Sequence, residues 1–192
     1  MCGLFVISKE NNINRKLLNN VFSHLNHRGP DAQGLEVLND GKLALLHTRL
    51  KIIDLSSNSN QPFISPCGRW TLVYNGEIYN FTQIRKEIKN RWEWKTKSDT
   101  EVLMASWVLW GKKCLNKFLG MFSFVIYDNK TKVISAVRDR FGIKPLYYYY
   151  KNSELILSSE IKSILSFQNK SEANLSTIRT FLELGVYDNN TE

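Results

Sequence analysis

Four short apolar runs follow one another in the second half of the chain, and their spacing limits the folds that it can adopt. The runs MFSFVIYD, KVISAVRD, PLYYYY and ELILSS lie between residues 121 and 159, and turn residues bound each of them. Short runs of this kind, separated by short connections, predict strands. This half of the chain is therefore predicted to be a meander of consecutive strands.

The rest of the chain supplies further strands and amphipathic helices. Strands are predicted at residues 3–8, 42–50 and 69–79, and helices at residues 13–29, 81–90, 96–111, 161–167 and 174–185. The first helix is expected to stop at Gly29-Pro30, and Ser98 with Glu101 matches a capping box at the start of the helix at 96–111. Strands, then helices, then strands again favour an α+β layered domain over a strictly alternating parallel sheet.

Length and cysteine content narrow the class of protein. The 192 residues suit one domain with a sizeable core, and the apolar content of 43% is that of a globular chain. Cys2, Cys67 and Cys114 form no metal-spaced cluster, so we predict no metal site and no disulfide framework, and we expect a reducing compartment. With no signal peptide and no apolar stretch near the ~20 residues of a membrane span, we expect a cytoplasmic protein that contacts no membrane.

The net charge of +8 raises the question of nucleic-acid binding. Lys and Arg are scattered, however, and in RKEIKNRWEWKTK and WGKKC they lie between helix-spaced apolar residues. No recognised nucleic-acid-binding motif accompanies the charge. We interpret the charge as solvated helix faces and expect no nucleic-acid partner, with a basic nucleic-acid-binding protein as the alternative.

Cys2 raises the first question of chemistry. Initiator methionine is normally removed before a small residue, which would leave Cys2 with a free α-amine beside its own thiol. An α-amine of pKa ~7.7–8.0 can act as a base toward a thiol of pKa ~8.5, so the N-terminal residue alone can form an activated nucleophile. Taken by itself, a cysteine at this position is more often an incidental small side chain at the head of a strand.

Three further motifs each allow a structural and a chemical interpretation. Arg49, at the end of an apolar strand, suits either a structural salt bridge or a bidentate bond to a ligand carboxylate. Asn75-Gly76 suits either a hairpin turn or an oxyanion hole formed by a side-chain amide and a backbone N–H. Asp99 suits either capping or dipole stabilisation at the start of a helix, or else a partner for a ligand ammonium. Arg49 and Asp99 together would bind the two ends of an α-amino acid.

Three other features receive a structural interpretation. Residues 27–34 (HRGPDAQG) suit a helix stop and loop in which Asp31 hydrogen-bonds its own backbone, or else a wall of a pocket near the N-terminus. His47 is expected to be structural, because an N-terminal amine already supplies a base. Residues 138–150 (RDRFGIKPLYYYY) predict a sharp loop before an aromatic strand, and we assign them no chemical role.

Taken together, seven motifs resemble those of one family. MCG, HRGPDxxG, HxRLxIID, NGEIYN, SDTEV, GMFxFxIYD and RDRFGIKPLYY occur in this order. The arrangement is similar to that of class II (N-terminal nucleophile) glutamine amidotransferases, and most of all to the glutaminase domain of glutamine-dependent asparagine synthetases. The resemblance covers residues 2–185 and leaves residues 186–192 as a polar tail or the start of a linker. It implies an α+β fold, a four-layer αββα sandwich of two mostly antiparallel sheets.

The resemblance also implies roles for eight residues. Cys2 would be the nucleophile, with its own α-amine as the base once Met1 is removed. Asn75 and Gly76 would form the oxyanion hole. The implied substrate-binding residues are Arg49 for the α-carboxylate, the backbone at Ile52 and Ile53, Glu77 beside the glutamine, and Asp99 for the ammonium.

The implied activity is hydrolysis of L-glutamine to L-glutamate and ammonia, which would supply nitrogen for ATP-dependent asparagine synthesis when a synthetase domain is joined in cis or in trans. The sequence has no SGG-type loop, so we expect no cofactor in this chain, and ATP and Mg would belong to the absent synthetase domain. The chain alone is therefore not expected to make asparagine. Thr48 replaces a residue that is usually acidic in the family, with little effect expected because Arg49 is kept. A homodimer is compatible with the resemblance, and the alternatives are a non-catalytic or regulatory module and an amidotransferase with another ammonia acceptor.

Overall fold

Nine strands form two antiparallel sheets in the part of the chain that this computed structural model describes, residues 1–167 and 172–186. The strands are β1 (Gly3–Ser8), β2 (Ala32–Leu38), β3 (Leu43–Arg49), β4 (Phe63–Ile64), β5 (Trp70–Ile78), β6 (Gly120–Asp128), β7 (Val133–Arg138), β8 (Tyr147–Lys151) and β9 (Glu154–Ser158). The helices are α1 (Arg15–Leu25), α2 (Phe81–Glu87), α3 (Asp99–Trp110), α4 (Ile161–Leu165) and α5 (Leu175–Leu184).

The strands of the predicted meander are divided between the two sheets. One sheet has the order β2-β3-β1-β9-β8, and the other has the order β4-β5-β6-β7. β6 pairs with β7 and β8 pairs with β9, but β7 and β8 belong to different sheets, so the prediction of one continuous meander is wrong at that step. The chain changes sheets there because the Asp139 carboxylate accepts the backbone N–H groups of Ile143 and Lys144, which folds the connection into a compact loop instead of a hairpin.

Side-chain alternation along the strands places apolar clusters between and outside the sheets. Adjacent residues of β1 face opposite sides, Leu4 toward the second sheet and Phe5 toward α1. The cluster between the sheets contains Leu4, Val6, Leu43, Leu45, Val73, Val125, Tyr127 and Leu157. The clusters under the helices include Leu18, Val21 and Leu25 of α1 on one side and Val102, Leu103 and Trp107 of α3 on the other. Helices, sheet, sheet and helices therefore stack as the expected αββα sandwich.

Two strands and one helix end differ from the sequence prediction. β2 is an edge strand whose residues are mostly half-buried, so its hydrophobic alternation is weak, and β4 has only two residues. α1 begins after Asn14, whose Oδ1 accepts the Lys16 N–H at 2.9 Å, and it ends at Leu25. A 3-10 turn continues from Asn26 to Arg28, so the regular helix stops before Gly29-Pro30.

Asn75 and Gly76 lie inside β5, and the hairpin interpretation of this dipeptide is wrong. The register with β6 runs without a break from Trp70 to Ile78, and Gly76 lies opposite Phe122. A Cβ atom on Gly76 would lie 2.4 Å from the carbonyl oxygen of Met121 and 2.6 Å from Phe122 Cα. Glycine is therefore needed here because β6 approaches closely, and no turn is involved.

Only one of the two hydrogen bonds of a capping box forms at the start of α3. Ser98 Oγ accepts the Glu101 N–H at 3.4 Å, as predicted. The Glu101 carboxylate does not return to Ser98; it accepts the N–H groups of Lys95 at 3.0 Å and Thr96 at 2.7 Å. Glu101 therefore holds the segment that leads into the helix.

The start of β1, the end of β3, the middle of β5 and the first turn of α3 surround one cavity. The tail predicted at residues 186–192 lies outside the described residues, apart from Val186. Each described helix is too short or too polar to cross a lipid bilayer.

Candidate active site

One cavity brings together all eight residues that the sequence analysis assigned to a site. Its volume is about 270 Å³, near the lower end of the roughly 300–1,000 Å³ of ligand cavities, which suits a small molecule such as an amino acid. The assigned residues that line it are Cys2, Arg49, Ile52, Ile53, Asn75, Gly76, Glu77 and Asp99.

The thiol of Cys2 contacts the chain just beyond β3. The backbone N–H of Leu50 donates to Cys2 Sγ at 3.4 Å. Burial raises the pKa of the Cys2 thiol, and although the Leu50 hydrogen bond and the Arg49 charge oppose this effect, they do not cancel it. The thiol is therefore protonated near neutral pH and needs a base before it can attack. Met1 also lines the cavity and is 56% exposed.

Arg28 holds the backbone of Cys2, a contact that the sequence analysis missed. Arg28 Nε donates to the Cys2 carbonyl oxygen at 3.0 Å, and Arg28 Nη1 donates to Glu160 Oε1 at 2.7 Å. Arg28 is buried although it lies in a turn after a surface helix. The HRGPD motif contains this arginine, but its partner Glu160 lies 132 residues further along the chain, so local spacing could not reveal the pair.

The other residues of the segment 27–34 pack against β3 and the loop that follows it, and they do not line the cavity. A Cβ atom on Gly29 would lie 2.4 Å from the carbonyl oxygen of Thr48, so the turn packs directly on β3. Asp31 does not fix its own turn as predicted, because its carboxylate accepts the Lys51 N–H at 2.8 Å. The segment therefore restrains the loop after β3, which carries Ile52 and Ile53.

Asn75 supplies a buried donor with no partner. Its side chain is 1% exposed, and Nδ2 makes no hydrogen bond to any of the described residues. Buried donors of this kind are rare in native proteins, since an unmade hydrogen bond costs free energy. The amide of Asn75 is therefore available to a ligand in the cavity.

The backbone N–H of Gly76 points to the same side of β5 as the cavity. The N–H groups of Tyr74 and Ile78 are directed away from β6, because they donate to Gln61 Oε1 at 2.6 Å and to Asp99 Oδ2 at 3.1 Å. Alternate residues of an antiparallel strand direct their N–H groups to the same side, so Gly76 shares this orientation. Asn75 and Gly76 together give two adjacent N–H donors.

Arg49 is buried at the end of β3 and holds the loop that follows. Nη1 donates to the Ser56 carbonyl oxygen at 2.7 Å and to Asn60 Oδ1 at 2.8 Å, and Nη2 donates to the Asp54 carbonyl oxygen. A guanidinium has five N–H donors, so two remain for a carboxylate in the cavity. Arg49 thus makes loop contacts in place of the structural salt bridge that was its alternative interpretation.

Asp54 links this loop to α3, and the sequence analysis assigned it no role. Its carboxylate accepts the N–H groups of Ser56 and Lys97, both at 2.8 Å. Burial opposes ionisation, but these hydrogen bonds outweigh it and hold the pKa of Asp54 well below its usual range. The loop that surrounds Arg49 is therefore tied to the residues just before Asp99.

Asp99 is a buried carboxylate at the first turn of α3. Its side chain is 4% exposed, and Oδ2 accepts hydrogen bonds from the Tyr74 hydroxyl at 2.7 Å and from the Ile78 N–H at 3.1 Å. Burial raises the pKa of Asp99, and these two hydrogen bonds limit the rise. Ser98, not Asp99, is the N-cap, so the capping interpretation of Asp99 is wrong, whereas its place in the first turn is the one that dipole stabilisation requires.

The remaining assigned residues form the rim and one side of the cavity. Ile52 and Ile53 are exposed by 61% and 39%, so they are the accessible edge of the loop after β3. Glu77 is half-buried next to Gly76 on β5.

The loop between β7 and β8 adds Lys144 to the cavity wall. Asp139 accepts the N–H groups of Phe122, Phe141, Ile143 and Lys144 at 3.0 to 3.2 Å. These hydrogen bonds outweigh the burial of Asp139 and lower its pKa. Lys144 is 5% exposed and lines the cavity. The sharp loop predicted for the RDRFGIKPLYY motif is therefore confirmed, and it places Lys144 in the cavity wall, a position that was not predicted.

His47 is structural, as expected. Nε2 lies 3.0 Å from the carbonyl oxygen of Tyr74, which joins β3 of one sheet to β5 of the other. Complete burial lowers the pKa of His47 to about 4, so the ring is neutral near pH 7. Of the other cysteines, Cys114 is buried and Cys67 is exposed.

The cavity combines the parts that acyl transfer from an amino acid requires. It holds a thiol, the side-chain amide of Asn75 next to the backbone N–H of Gly76, a guanidinium and a buried carboxylate. A nucleophile beside two such donors can attack a carbonyl carbon while the donors stabilise the oxyanion. The guanidinium and the carboxylate have the charges that complement an α-carboxylate and an α-ammonium.

Comparison with known proteins assigns the chain to a family. Residues 1–192 match the family described as glutamine amidotransferase domain. The chain is 36% identical over 157 residues to glutamine-hydrolyzing asparagine synthetase 1 of Bacillus subtilis, covering 81% of this chain and 24% of that protein. It is 36% identical over 170 residues to amidase chry2 of Gibberella zeae, covering 84% of this chain and 25% of that protein. The chain thus spans about a quarter of the length of these two relatives.

A solved structure supports the fold. Glutamine phosphoribosylpyrophosphate amidotransferase from B. subtilis, in complex with ADP and GMP, superposes with a TM-score of 0.73 at 21% identity. The match covers 86% of this chain and 43% of that one. With the family match over the whole chain, these findings agree with the seven motifs. The chain belongs to the class II glutamine amidotransferase domain family and is related to glutamine-hydrolyzing asparagine synthetases.

Proposed function

We propose that this chain hydrolyses L-glutamine to L-glutamate and ammonia, with Cys2 as the nucleophile after removal of Met1. The observation that carries the proposal is that the Cys2 thiol and the unpaired buried amide of Asn75 line the same small cavity. The exposure of Met1 supports its removal by an aminopeptidase.

In the first step, the free α-amine of Cys2 takes the thiol proton, and Sγ attacks the side-chain carbonyl carbon of glutamine. An ordinary α-amine has a pKa of ~7.7–8.0, which suits a general base near neutral pH. Asn75 Nδ2 and the Gly76 N–H hold the oxyanion of the tetrahedral intermediate. The C–N bond then breaks, the amine returns the proton to the departing nitrogen, and ammonia leaves a γ-glutamyl thioester on Cys2.

In the second step, water attacks the thioester. The α-amine accepts a proton from this water, and the same two donors hold the second oxyanion. Breakage of the C–S bond releases glutamate and restores the Cys2 thiol.

Arg49 and Asp99 bind the amino-acid end of the substrate in this scheme. The two unused N–H donors of Arg49 bind the α-carboxylate, and Asp99 binds the α-ammonium. Ile52, Ile53 and Glu77 complete the wall around the substrate. This arrangement places the side-chain carboxamide toward Cys2.

The ammonia is proposed to serve ATP-dependent asparagine synthesis when the domain is joined to a synthetase domain, where ATP and Mg would bind. The related asparagine synthetases, of which this chain spans about a quarter, support this acceptor. The equally similar relative that is named an amidase keeps a second candidate, an amidotransferase domain with a different ammonia acceptor.

The proposal is tested by measuring glutamate released from glutamine by the purified chain, after mass spectrometry establishes that Met1 is absent. Cys2→Ala should abolish the release, whereas Cys67→Ala, at an exposed loop cysteine, should leave it unchanged. Glutamate release that survives in Cys2→Ala, or an intact Met1 on active protein, would exclude the mechanism.

A further inference from the structure

We infer that Tyr74 is a positioning residue: its hydroxyl orients the Asp99 carboxylate toward the ammonium of the substrate. This inference rests on the proposed function, because it concerns how the proposed glutamine site binds the α-ammonium group of its ligand. It adds a residue that neither the motifs nor the resemblance assigned to the site.

The contact joins two buried groups across two elements. The Tyr74 hydroxyl donates to Asp99 Oδ2 at 2.7 Å, and the two side chains are 2% and 4% exposed. The Ile78 N–H donates to the same oxygen at 3.1 Å. No side chain among the described residues donates to Oδ1, and backbone N–H groups of the first turn of α3, including that of Thr100, also favour the charged carboxylate. We therefore assign Oδ1 as the oxygen that contacts the ligand ammonium.

Tyr74 is itself held at both backbone groups. Its N–H donates to Gln61 Oε1 at 2.6 Å, and its carbonyl oxygen lies 3.0 Å from His47 Nε2. These contacts come from the loop after β3 and from the other sheet. The phenol therefore projects from a rigid strand, and its hydroxyl presents a donor at a fixed position.

A donor at this position matters because burial disfavours the charged form of Asp99. The pKa of Asp99 is raised by burial, and the Tyr74 hydroxyl is the largest contribution in the opposite direction. Besides the N-terminal amine, five other charged or titratable side chains line the cavity around Asp99: Cys2 before β1, Arg49 at the end of β3, Asp54 on the loop after β3, Glu77 on β5 and Lys144 on the loop after β7. Without the hydroxyl, the buried carboxylate would hold its proton to a higher pH and would lose its fixed orientation.

The inference predicts a defect that is specific for the ammonium of the ligand. Tyr74→Phe removes the charge-assisted hydrogen bond from the tyrosine hydroxyl to the Asp99 carboxylate, so it should weaken glutamine binding by about tenfold or more near pH 7. As the pH falls, binding should be lost at a higher pH than in the parent, because the pKa of Asp99 rises. A glutamine analogue that lacks the α-amine, glutaramate, should bind both proteins equally.

The test is calorimetric titration of the full chain carrying Cys2→Ala, which binds glutamine without turnover, with and without Tyr74→Phe, from about pH 4 to about pH 8. Tyr127→Phe is the matched control, since it also removes a buried phenol hydroxyl, one that has no hydrogen-bond partner among the described residues and lies between the sheets. Asp99→Asn alone and with Tyr74→Phe completes a double-mutant cycle.

The expected result is weaker glutamine binding and a shifted acid midpoint in Tyr74→Phe. Binding of glutaramate should not change, and Tyr127→Phe should bind glutamine as the parent does. Adding Tyr74→Phe to Asp99→Asn should cause no further loss of glutamine binding. Equal weakening of glutamine and glutaramate would overturn the inference, because it would indicate a merely structural role for Tyr74. Unchanged glutamine binding in Tyr74→Phe would also overturn it. If Cys2→Ala binds no glutamine at any pH, the proposed function itself fails, and the two failures are thus distinguishable.

Discussion

Arg28 Nε donates a hydrogen bond of 3.0 Å to the carbonyl oxygen of Cys2, so a buried cation restrains the residue that carries the nucleophile. The same guanidinium bonds Glu160 at 2.7 Å, which fixes its own orientation. A cysteine at the second position of a chain would otherwise be free to fray. Arg28 and Glu160 therefore place the thiol where β3 and β5 provide the other groups of the cavity.

Arg28→Gln should lower kcat for glutamine hydrolysis by about 10- to 100-fold, because a displacement of the nucleophile by an ångström has an effect of this size. The KM for glutamine should change less, since Arg28 does not line the cavity. Steady-state kinetics measure both values. Arg179→Gln, which removes an exposed surface pair with Glu183, is the control and should leave kcat unchanged. An unchanged kcat in Arg28→Gln would show that Cys2 needs no such restraint.

Asn75→Ala should lower kcat by about 10²- to 10³-fold, because it removes one donor of the proposed oxyanion hole. Nδ2 has no partner among the described residues, so no protein hydrogen bond breaks and the fold should persist, as circular dichroism can establish. Asn129→Ala is the control, since Asn129 Nδ2 donates to Gly68 O on an exposed turn. Parent-like kcat in Asn75→Ala would contradict the oxyanion role.

Gly76→Ala should destabilise the fold by about 3 kcal/mol or more, because the added Cβ meets backbone atoms of β6 that can move only if the two strands separate. Urea unfolding measures the change. Gly68→Asn is a comparison, since Gly68 has open space around it and a positive φ that Asn tolerates, and it should cost less than about 1 kcal/mol. Equal costs at the two positions would contradict the close approach of β5 and β6.

His47 should make the stability depend on pH. The pKa of the buried ring is about 4, below the 6.5 of an exposed histidine, so the unfolded chain binds the extra proton between these values. The stability due to neutral His47 is fully present above pH 6.5 and is lost as the pH falls toward 4, a change of about 3 kcal/mol. In His47→Gln this part of the pH dependence should disappear from urea unfolding curves. Parallel stability curves for the parent and the variant would show that the ring is not buried neutral.

The sequence predicts the groups of the site because each belongs to a short motif with its own chemical meaning. Arg49, Asn75 and Asp99 are assigned from a strand end, a dipeptide and a helix start, and the fold brings all three to one cavity. The strands of the buried layers are also predictable, because residues such as Leu4 and Phe5 alternate between two apolar environments.

The supporting contacts are not predictable from local pattern, because they join distant segments. Arg28 meets Glu160 across 132 residues, and Tyr74 meets Asp99 across 25. Asn75-Gly76 carries a local hairpin signal, but pairing with β6 overrides it. The edge strand β2 is mostly half-buried, so its alternation is too weak to identify it.

The central claim is that the N-terminal Cys2 thiol becomes acylated by glutamine. The most direct measurement is mass spectrometry of the protein after acid quench of a reaction with saturating glutamine, followed by analysis of the N-terminal peptide. The account predicts a peptide that begins at Cys2, without Met1, and that carries one γ-glutamyl group, which is absent in Cys2→Ala. A γ-glutamyl group on Cys67 or Cys114, or glutamate production from protein that retains Met1, would contradict it.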